Sequence, residues 1–373
     1  MAPRLLFQAS VRIFRLIATL VGLAIVGILI VRVGSDEALI DAARGLRWRA
    51  LLVCLPFGLI MAVDTLGWRY AFAYDRVPFL RLMAARVAGE AVNIVTAMAS
   101  IGGDAVKVWF LGPHVPYRES IASVIIAKTT ITLSQALFLL VGVVAAVGLA
   151  VDARLVRAML WLLLLEVIGT GGFLAVQVAG FVSRGARLLE RFGKLQALAA
   201  AENLDRTLQS FYRREWKRFG LSVSFHLLGW LMGAAETWLF LYVLQIPASL
   251  MTALVIETLG SAVRFATFFI PGSLGALEGA NTGAFAALGL GAPAGLAFSL
   301  LRRLRQVVWI ALGVLVLLLA RARMRRAPET TGSSPASTPP RRPDAPADAR
   351  GFQPESAAEA RARESARPPA SAD

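Results

Sequence analysis

The sequence predicts an all-α polytopic membrane protein, with about six full spans and two broken helical hairpins arranged as an inverted repeat. Three observations predict it. Apolar residues fall in long blocks near the length that crosses the hydrocarbon of a bilayer. Of 373 residues 57% are hydrophobic and only 17% charged, whereas a soluble domain carries about a quarter charged. Two further apolar regions are interrupted by glycine and hold acids, which helices facing lipid do not tolerate.

The first span is expected at 13–33. Arg4, Arg12 and Arg15 precede it like the start of a secretory signal, but the apolar stretch is too long and no A-x-A site follows, so it reads as a retained span. A second span is expected at 50–70, then the first interrupted region at 84–111, then spans at 119–149 and 158–182. From Ser183 to Arg218 the chain turns basic, with nine Lys or Arg against four acids. Leu188, Phe192, Leu195, Leu198, Leu208 and Phe211 recur there at near-helical spacing, which predicts an amphipathic interfacial helix over about 184–213. A span at 219–243, the second interrupted region at 251–290 and a last span at 294–320 follow. The membrane domain is thus 1–326, with halves of about 10–182 and 219–320. Pro, Ala, Ser, Arg and Glu dominate 327–373, which reads as a disordered tail.

The Lys/Arg bias sets orientation. The Ser183–Arg218 loop and the cluster Arg321, Arg323, Arg325 and Arg326 belong in the cytoplasm, and Gln245–Leu250, with no basic residue, belongs outside. Both termini then lie in the cytoplasm. Arg44, Arg47 and Arg49 dissent on the outer side, in a loop shared with Asp36, Glu37 and Asp41. The net charge of +15 prompts a nucleic-acid reading, but the basic residues gather at the ends of apolar blocks without a nucleic-acid motif. Anionic lipid heads are the better partner, at about 1 kcal/mol per basic residue near the surface.

Chemistry-bearing signatures are thin. Cys54 is the only cysteine, so no intrachain disulfide forms. His114 and His226 lack metal-ligand spacing, and no P-loop, nucleophile elbow or zinc motif appears. No metal, cofactor or catalytic residue is expected, and the chain is not expected to be an enzyme.

The two interrupted regions carry the informative polar residues. Arg86, Glu90 and Asn93 share one helical face in the first arm, and Glu257, Ser261 and Arg264 repeat that spacing in the second. Each arm reaches a glycine turn with an acid: "IGGDAVK" at 101–107 holds Gly102, Gly103 and Asp104, and "LGALEGA" at 274–280 holds Gly275 and Glu278. Each hairpin precedes a span with basic residues near its start, Lys128 in one case and Arg302, Arg303 and Arg305 in the other. Under the topology above, the hairpins enter from opposite faces.

An unwound backbone at Pro271, Gly272, Gly275 and Gly279 leaves amides that lipid cannot satisfy. Such a segment is tolerated where it lines a wet cavity between half-helices. The bland reading is a proline kink or a glycine packing face. The functional reading has Glu278 facing the opening, with a cationic cluster beside the glycine turns suited to a phosphate-bearing headgroup. Lys128, Arg302 and Arg303 have the alternative of snorkelling to the headgroups. Of the remaining intramembrane acids, Asp64 has Arg69 within reach. Glu166 and Glu236 have no sequence neighbour to pair them, and each is either a bundle-interior contact or part of a polar path.

At "GWRY" (67–70), "GEAVN" (89–93), "IGGDAVKVWFL" (101–111), "FFIPGSLGALEG" (268–279) and "LLRRLRQ" (300–306) the chain resembles the membrane domain of the lysylphosphatidylglycerol synthetase/flippase family. "IETLGSAVRFATFF" (256–269) with "PGSLGALEG" is similar to the branch found in bacterial hopanoid-biosynthesis loci. The resemblance implies a multi-pass bacterial inner-membrane protein with pseudo-symmetric halves that moves lipid between leaflets. Its motif positions are Glu90, Asn93, Gly102, Gly103, Asp104, Pro271, Gly272, Gly275, Glu278, Arg302 and Arg303; Lys128, Glu257 and Arg264 join them as substrate-binding candidates. The bifunctional members carry a large soluble aminoacyl-transferase domain where this chain has the short tail, so lysyl transfer is not expected. The implied partner is a phospholipid or hopanoid-related lipid, with homo-oligomerisation left open. The alternative is a membrane enzyme or accessory factor of lipid biosynthesis using Glu90 or Glu278 as acid or base.

Overall fold

Helix-forming blocks separated by prolines and glycines give an all-helical chain. In the computed structural model the described residues are 54–74, 76–95, 101–112, 114–180, 183 and 195–326, and among them are ten α-helices and no strand. The expected span at 13–33, the dissenting loop with Arg44, Arg47 and Arg49, the positions Leu188 and Phe192, and the tail at 327–373 lie outside the described residues.

The helices are α1 (Leu55–Arg69), α2 (Phe79–Val95), α3 (Ile101–Leu111), α4 (Tyr117–Gly148), α5 (Ala153–Val178), α6 (Leu195–Arg214), α7 (Trp216–Val243), α8 (Leu250–Ala266), α9 (Ala276–Ala287) and α10 (Ala292–Arg326), with a 3₁₀ turn at Pro271–Ser273 between α8 and α9. Three are long and apolar enough to cross a bilayer: α4, α5 and the stretch Ala292–Ala322 of α10. The expected elements shift by a few residues: the span expected at 158–182 is helical over Ala153–Val178, and of the amphipathic stretch expected at about 184–213 the described helix is Leu195–Arg214. That helix buries Leu208 and Phe211 in a core cluster with Trp68, Leu111 and Ile126.

Polar side chains hold the bundle from within. On α4 the outward residues Leu137, Leu140, Val141 and Val144 are exposed, while Thr130 bonds Ser222 of α7 at 2.8 Å and Gln135 donates to the Ser261 carbonyl of α8 at 2.8 Å. Apolar outside and polar inside is the arrangement that lipid favours, because an unmet polar group has no water to turn to. Helices α1 and α7 run antiparallel: Arg218 donates to the Phe72 and Arg69 carbonyls, and Ser222 donates to the Gly67 carbonyl. The guanidinium thereby satisfies carbonyls at the negative end of α1.

Both interrupted regions are helix–break–helix hairpins. In the first, Arg81 of α2 donates to the Phe110 carbonyl of α3 at 3.3 Å, and the Gly103 amide donates to Asn93 Oδ1 at 2.8 Å, so the two arms are antiparallel. They cross at two glycines: a Cβ on Gly89 would lie 2.8 Å from the Gly103 carbonyl oxygen. In the second hairpin the chain leaves α8, and Gly272 (φ 55°) and Gly275 (φ 78°) take left-handed backbone that a side chain disfavours. Helix α9 then returns along α8, bringing Leu277 and Asn281 beside Gly260. The start of α9 is capped by Glu278, whose Oε2 accepts the Gly275 amide at 2.8 Å, the reach-back half of a capping box.

Candidate functional site

The end of α2 and the turn between α8 and α9 come together at a cavity. A Cβ on Gly272 would stand 3.9 Å from the Ile94 carbonyl, so the 271–273 turn lies against the end of α2. A cavity of about 370 Å³ opens beside this contact. Its wall takes Glu90, Asn93 and Ile94 from α2, Glu257 and Arg264 from α8, Gly272 and Ser273 from the turn, and Arg302, Arg303 and Arg305 from α10. A smaller cavity of about 130 Å³ lies on the α3 side, lined by Asp104, Lys107 and Lys128. Arg86, Glu90 and Asn93 line both, so one face of α2 is the wall between them. The spacing that placed these three residues on one face therefore has a structural counterpart.

Every arginine in the larger wall already has a carboxylate. Arg86 bonds Asp64 at 2.8 Å, Arg303 bonds Glu278 at 2.6 Å, and Arg305 pairs with Glu236. Glu257 takes two guanidiniums: Arg264 at 3.0 Å and Arg302 through both of its terminal nitrogens, with Thr237 adding a fourth bond at 2.7 Å. Glu257 is 2% exposed, which makes this network the only source of its solvation. Arg302 also stacks over Phe298, and Arg305 over Phe57 and Phe240. The arginines read as a cationic cluster are thus ion-paired: a buried charge is retained where a counter-charge meets it, and each arginine here touches a carboxylate, Arg264 and Arg302 the same one. What remains is an excess at Glu257, where two cations share one anion.

The candidate residues divide into lining and shaping groups. Glu90, Asn93, Glu257, Arg264, Gly272, Arg302 and Arg303 line the larger cavity; Asp104 and Lys128 line the smaller, where Lys107 and Lys128 bond Asp104 at 2.9 and 3.3 Å. Gly102, Gly103, Gly275 and Glu278 line neither. Gly103 is the α2–α3 crossing, Pro271 begins the 3₁₀ turn and Gly275 precedes α9. The picture of Glu278 facing the opening is corrected: it is 1% exposed, capping α9 with one oxygen and holding Arg303 with the other. Glu90 is the wall carboxylate that has no hydrogen bond or ion pair among the described residues.

Sequence reasoning missed one group. Asp64 does not pair with Arg69 but with Arg86 and with His226, whose Nδ1 is 3.0 Å from Oδ1. His226 is fully buried between glycines: a Cβ on Gly67 would lie 2.7 Å from its ring, and one on Gly229 would lie 2.7 Å from Asp64 Oδ1. A lone acid and a lone histidine, 162 residues apart, give no periodic signal; their depth in apolar helices is the only sign that each needs a partner. No cluster of metal-ligating side chains occurs among the described residues.

A helical bundle with apolar outer faces and an ion-paired cavity at two broken hairpins defines a polytopic membrane protein. The chain belongs to the lysylphosphatidylglycerol synthase TM region family, whose pattern it matches over residues 15–314. That membership makes it a membrane protein of lipid metabolism or transport. No curated protein and no solved structure matches it.

Proposed function

We propose that the protein is a lipid translocase, moving a phospholipid or hopanoid-related lipid between leaflets of the bacterial inner membrane, with both termini in the cytoplasm. The observation that carries this reading is one cavity walled by both hairpin regions and lined with charged groups. A headgroup crossing the bilayer needs polar contacts along its way while its tails stay in hydrocarbon. Arg264 and Arg302, sharing Glu257, supply surplus positive charge for a phosphate, and guanidinium suits its geometry. The antiparallel hairpins, each with an acid in the first turn of its second arm, support an inverted repeat in which the two halves open alternately. Glu90, with no hydrogen bond or ion pair among the described residues, enters the mechanism as the carboxylate that meets the headgroup.

The test is reconstitution of the full chain in liposomes with fluorescent phospholipid and hopanoid analogues, read by quenching of the outer leaflet with dithionite. Translocation above empty vesicles, reduced by Glu90→Gln at unchanged protein abundance, is the expected result. Rates equal to those of empty vesicles for every lipid class would reject the reading. A deletion strain that accumulates an unmodified lipid precursor would point instead to a biosynthetic enzyme.

A further inference from the structure

Helix α5 buries the wrong kind of residue for a helix at the edge of a membrane bundle. Its fully buried side chains are Met159, Glu166, Thr170 and Gln177, while Trp161, Leu164, Leu165, Val167 and Ile168 are exposed. Three of the four inward positions are polar, and their spacings of four and seven put them on one face. They form a seam about 16 Å long at the usual helical rise.

The lower part of this seam is satisfied. Gln177 accepts from Tyr212 of α6 at 2.6 Å and donates to Thr129 of α4 at 2.9 Å. The upper part is not. Both carboxyl oxygens of Glu166 and the hydroxyl of Thr170 are buried with no hydrogen-bond partner among the described residues. Thr65, Thr129, Thr258 and Thr267 each bond the carbonyl one turn back on their own helices, but Thr170 does not. Its hydroxyl, one turn from Glu166, is therefore not spent on its own backbone.

Among the described residues no counter-ion reaches this acid. The helices packed against α5 are α4, α6 and α8. On α4, Lys128 pairs with Asp104, and Arg118 and Glu119 lie in the first turn; on α8, Arg264 and Glu257 pair with each other. On α6, Asp205 accepts the Ser183 amide, Arg206 and Glu202 face each other, Tyr212 is bonded to Gln177, and Arg213 and Arg214 lie in the last turn. Arg154 and Arg157 of α5 itself are more than two turns away. None of these groups bonds Glu166. An ionised carboxylate without a counter-charge in such a place is strongly disfavoured, whereas the neutral acid is tolerated.

We propose that Glu166 is a proton-binding site, a carboxylic acid held protonated inside the bundle, separate from the ion-paired cavity and at the head of the polar seam that leads to α6. The bound species is the proton itself, exchanged from the Tyr212–Gln177–Thr129 end. The site rests on side chains that neither cavity uses, so it stands independently of lipid translocation.

A lipid-soluble carbodiimide tests this on the full chain in liposomes. The acid gives its proton to a carbodiimide nitrogen while its oxygen adds to the central carbon; the acyl group then shifts from oxygen to nitrogen. Nothing leaves, so the stable N-acylurea carries the mass of one added reagent. An ionised carboxylate has no proton to give and does not react. Peptide mapping by mass spectrometry should find the adduct on Glu166 at neutral pH, falling away in alkaline buffer, with Glu236, Glu257 and Glu278 unmodified and no adduct at this position in Glu166→Gln. An unmodified Glu166 in the wild-type protein, labelling as fast in alkali as at neutral pH, or equal labelling of Glu257 would each overturn the proposal. The decisive readings come from the wild-type chain, so they do not depend on how the variant folds.

Discussion

Glu257 and Glu166 are both buried carboxylates on helices of one bundle, yet Glu257 accepts four hydrogen bonds and Glu166 none among the described residues. The difference lies in what the neighbouring helices bring. Helix α10 delivers Arg302 to Glu257, and α8 delivers Arg264 one turn-pair along its own face. Helix α5 instead meets apolar surface built from Leu139, Val143, Val255 and Leu259. The contrast teaches that burial alone does not decide the state of an intramembrane acid. A carboxylate with matched guanidiniums keeps its charge and becomes part of the frame; one without them keeps its proton.

The comparison is most exposed to breakage at Glu257. Glu257→Gln leaves Arg264 and Arg302 with no full counter-charge and is expected to lower stability by about 3–5 kcal/mol. Thermal unfolding of the purified protein in detergent measures it. Adding Arg302→Met should recover part of the loss by removing one stranded cation, and a double variant as unstable as the single would contradict the pairing. Next comes Asp64→Asn, which weakens the bonds to Arg86 and His226 and should cost about 1.5–3 kcal/mol on the same assay. Glu278→Gln removes the charge that faces Arg303 but leaves an oxygen for the Gly275 amide, so a loss of about 0.5–2 kcal/mol is expected. A change confined to translocation, at full stability, would return Glu278 to the cavity. The smallest effect is expected on α5: Glu166→Gln within about 1 kcal/mol of wild type, and Glu166→Leu neutral or stabilising, because a polar group without partners loses nothing when replaced by an apolar one. If Glu166→Leu destabilises as much as Glu257→Gln, the two acids are alike and the distinction drawn between them fails.

Much of the architecture is legible along the chain because it is local. Long apolar blocks became α4, α5 and α10, the glycine-interrupted regions became hairpins, and Asp104 and Glu278 fell in the first turns of α3 and α9. Leu208 and Phe211 of the apolar stripe are buried within the protein. The bonding of the candidate residues was not legible along the chain. Glu90, Asn93, Arg264 and Arg302 do share a cavity, and the arginines read as a cationic cluster are ion-paired, two of them to the same Glu257. Asp64 was matched to its nearest basic neighbour in sequence, whereas its partners come from α2 and α7.

By itself the sequence determined where helices form, where they break and which residues share a face, since these follow from side-chain length, periodicity and the backbone freedom of glycine. The tertiary structure alone decided which face meets which: that Gly89 and Gly103 cross closely enough to put Asn93 on an α3 amide, that α10 brings three arginines to three acids, and that no described residue bonds Glu166. The physical reason is that a helix face is specified by residues a turn apart, while the charge state of an acid upon it is set by whatever a different helix places within about 3 Å.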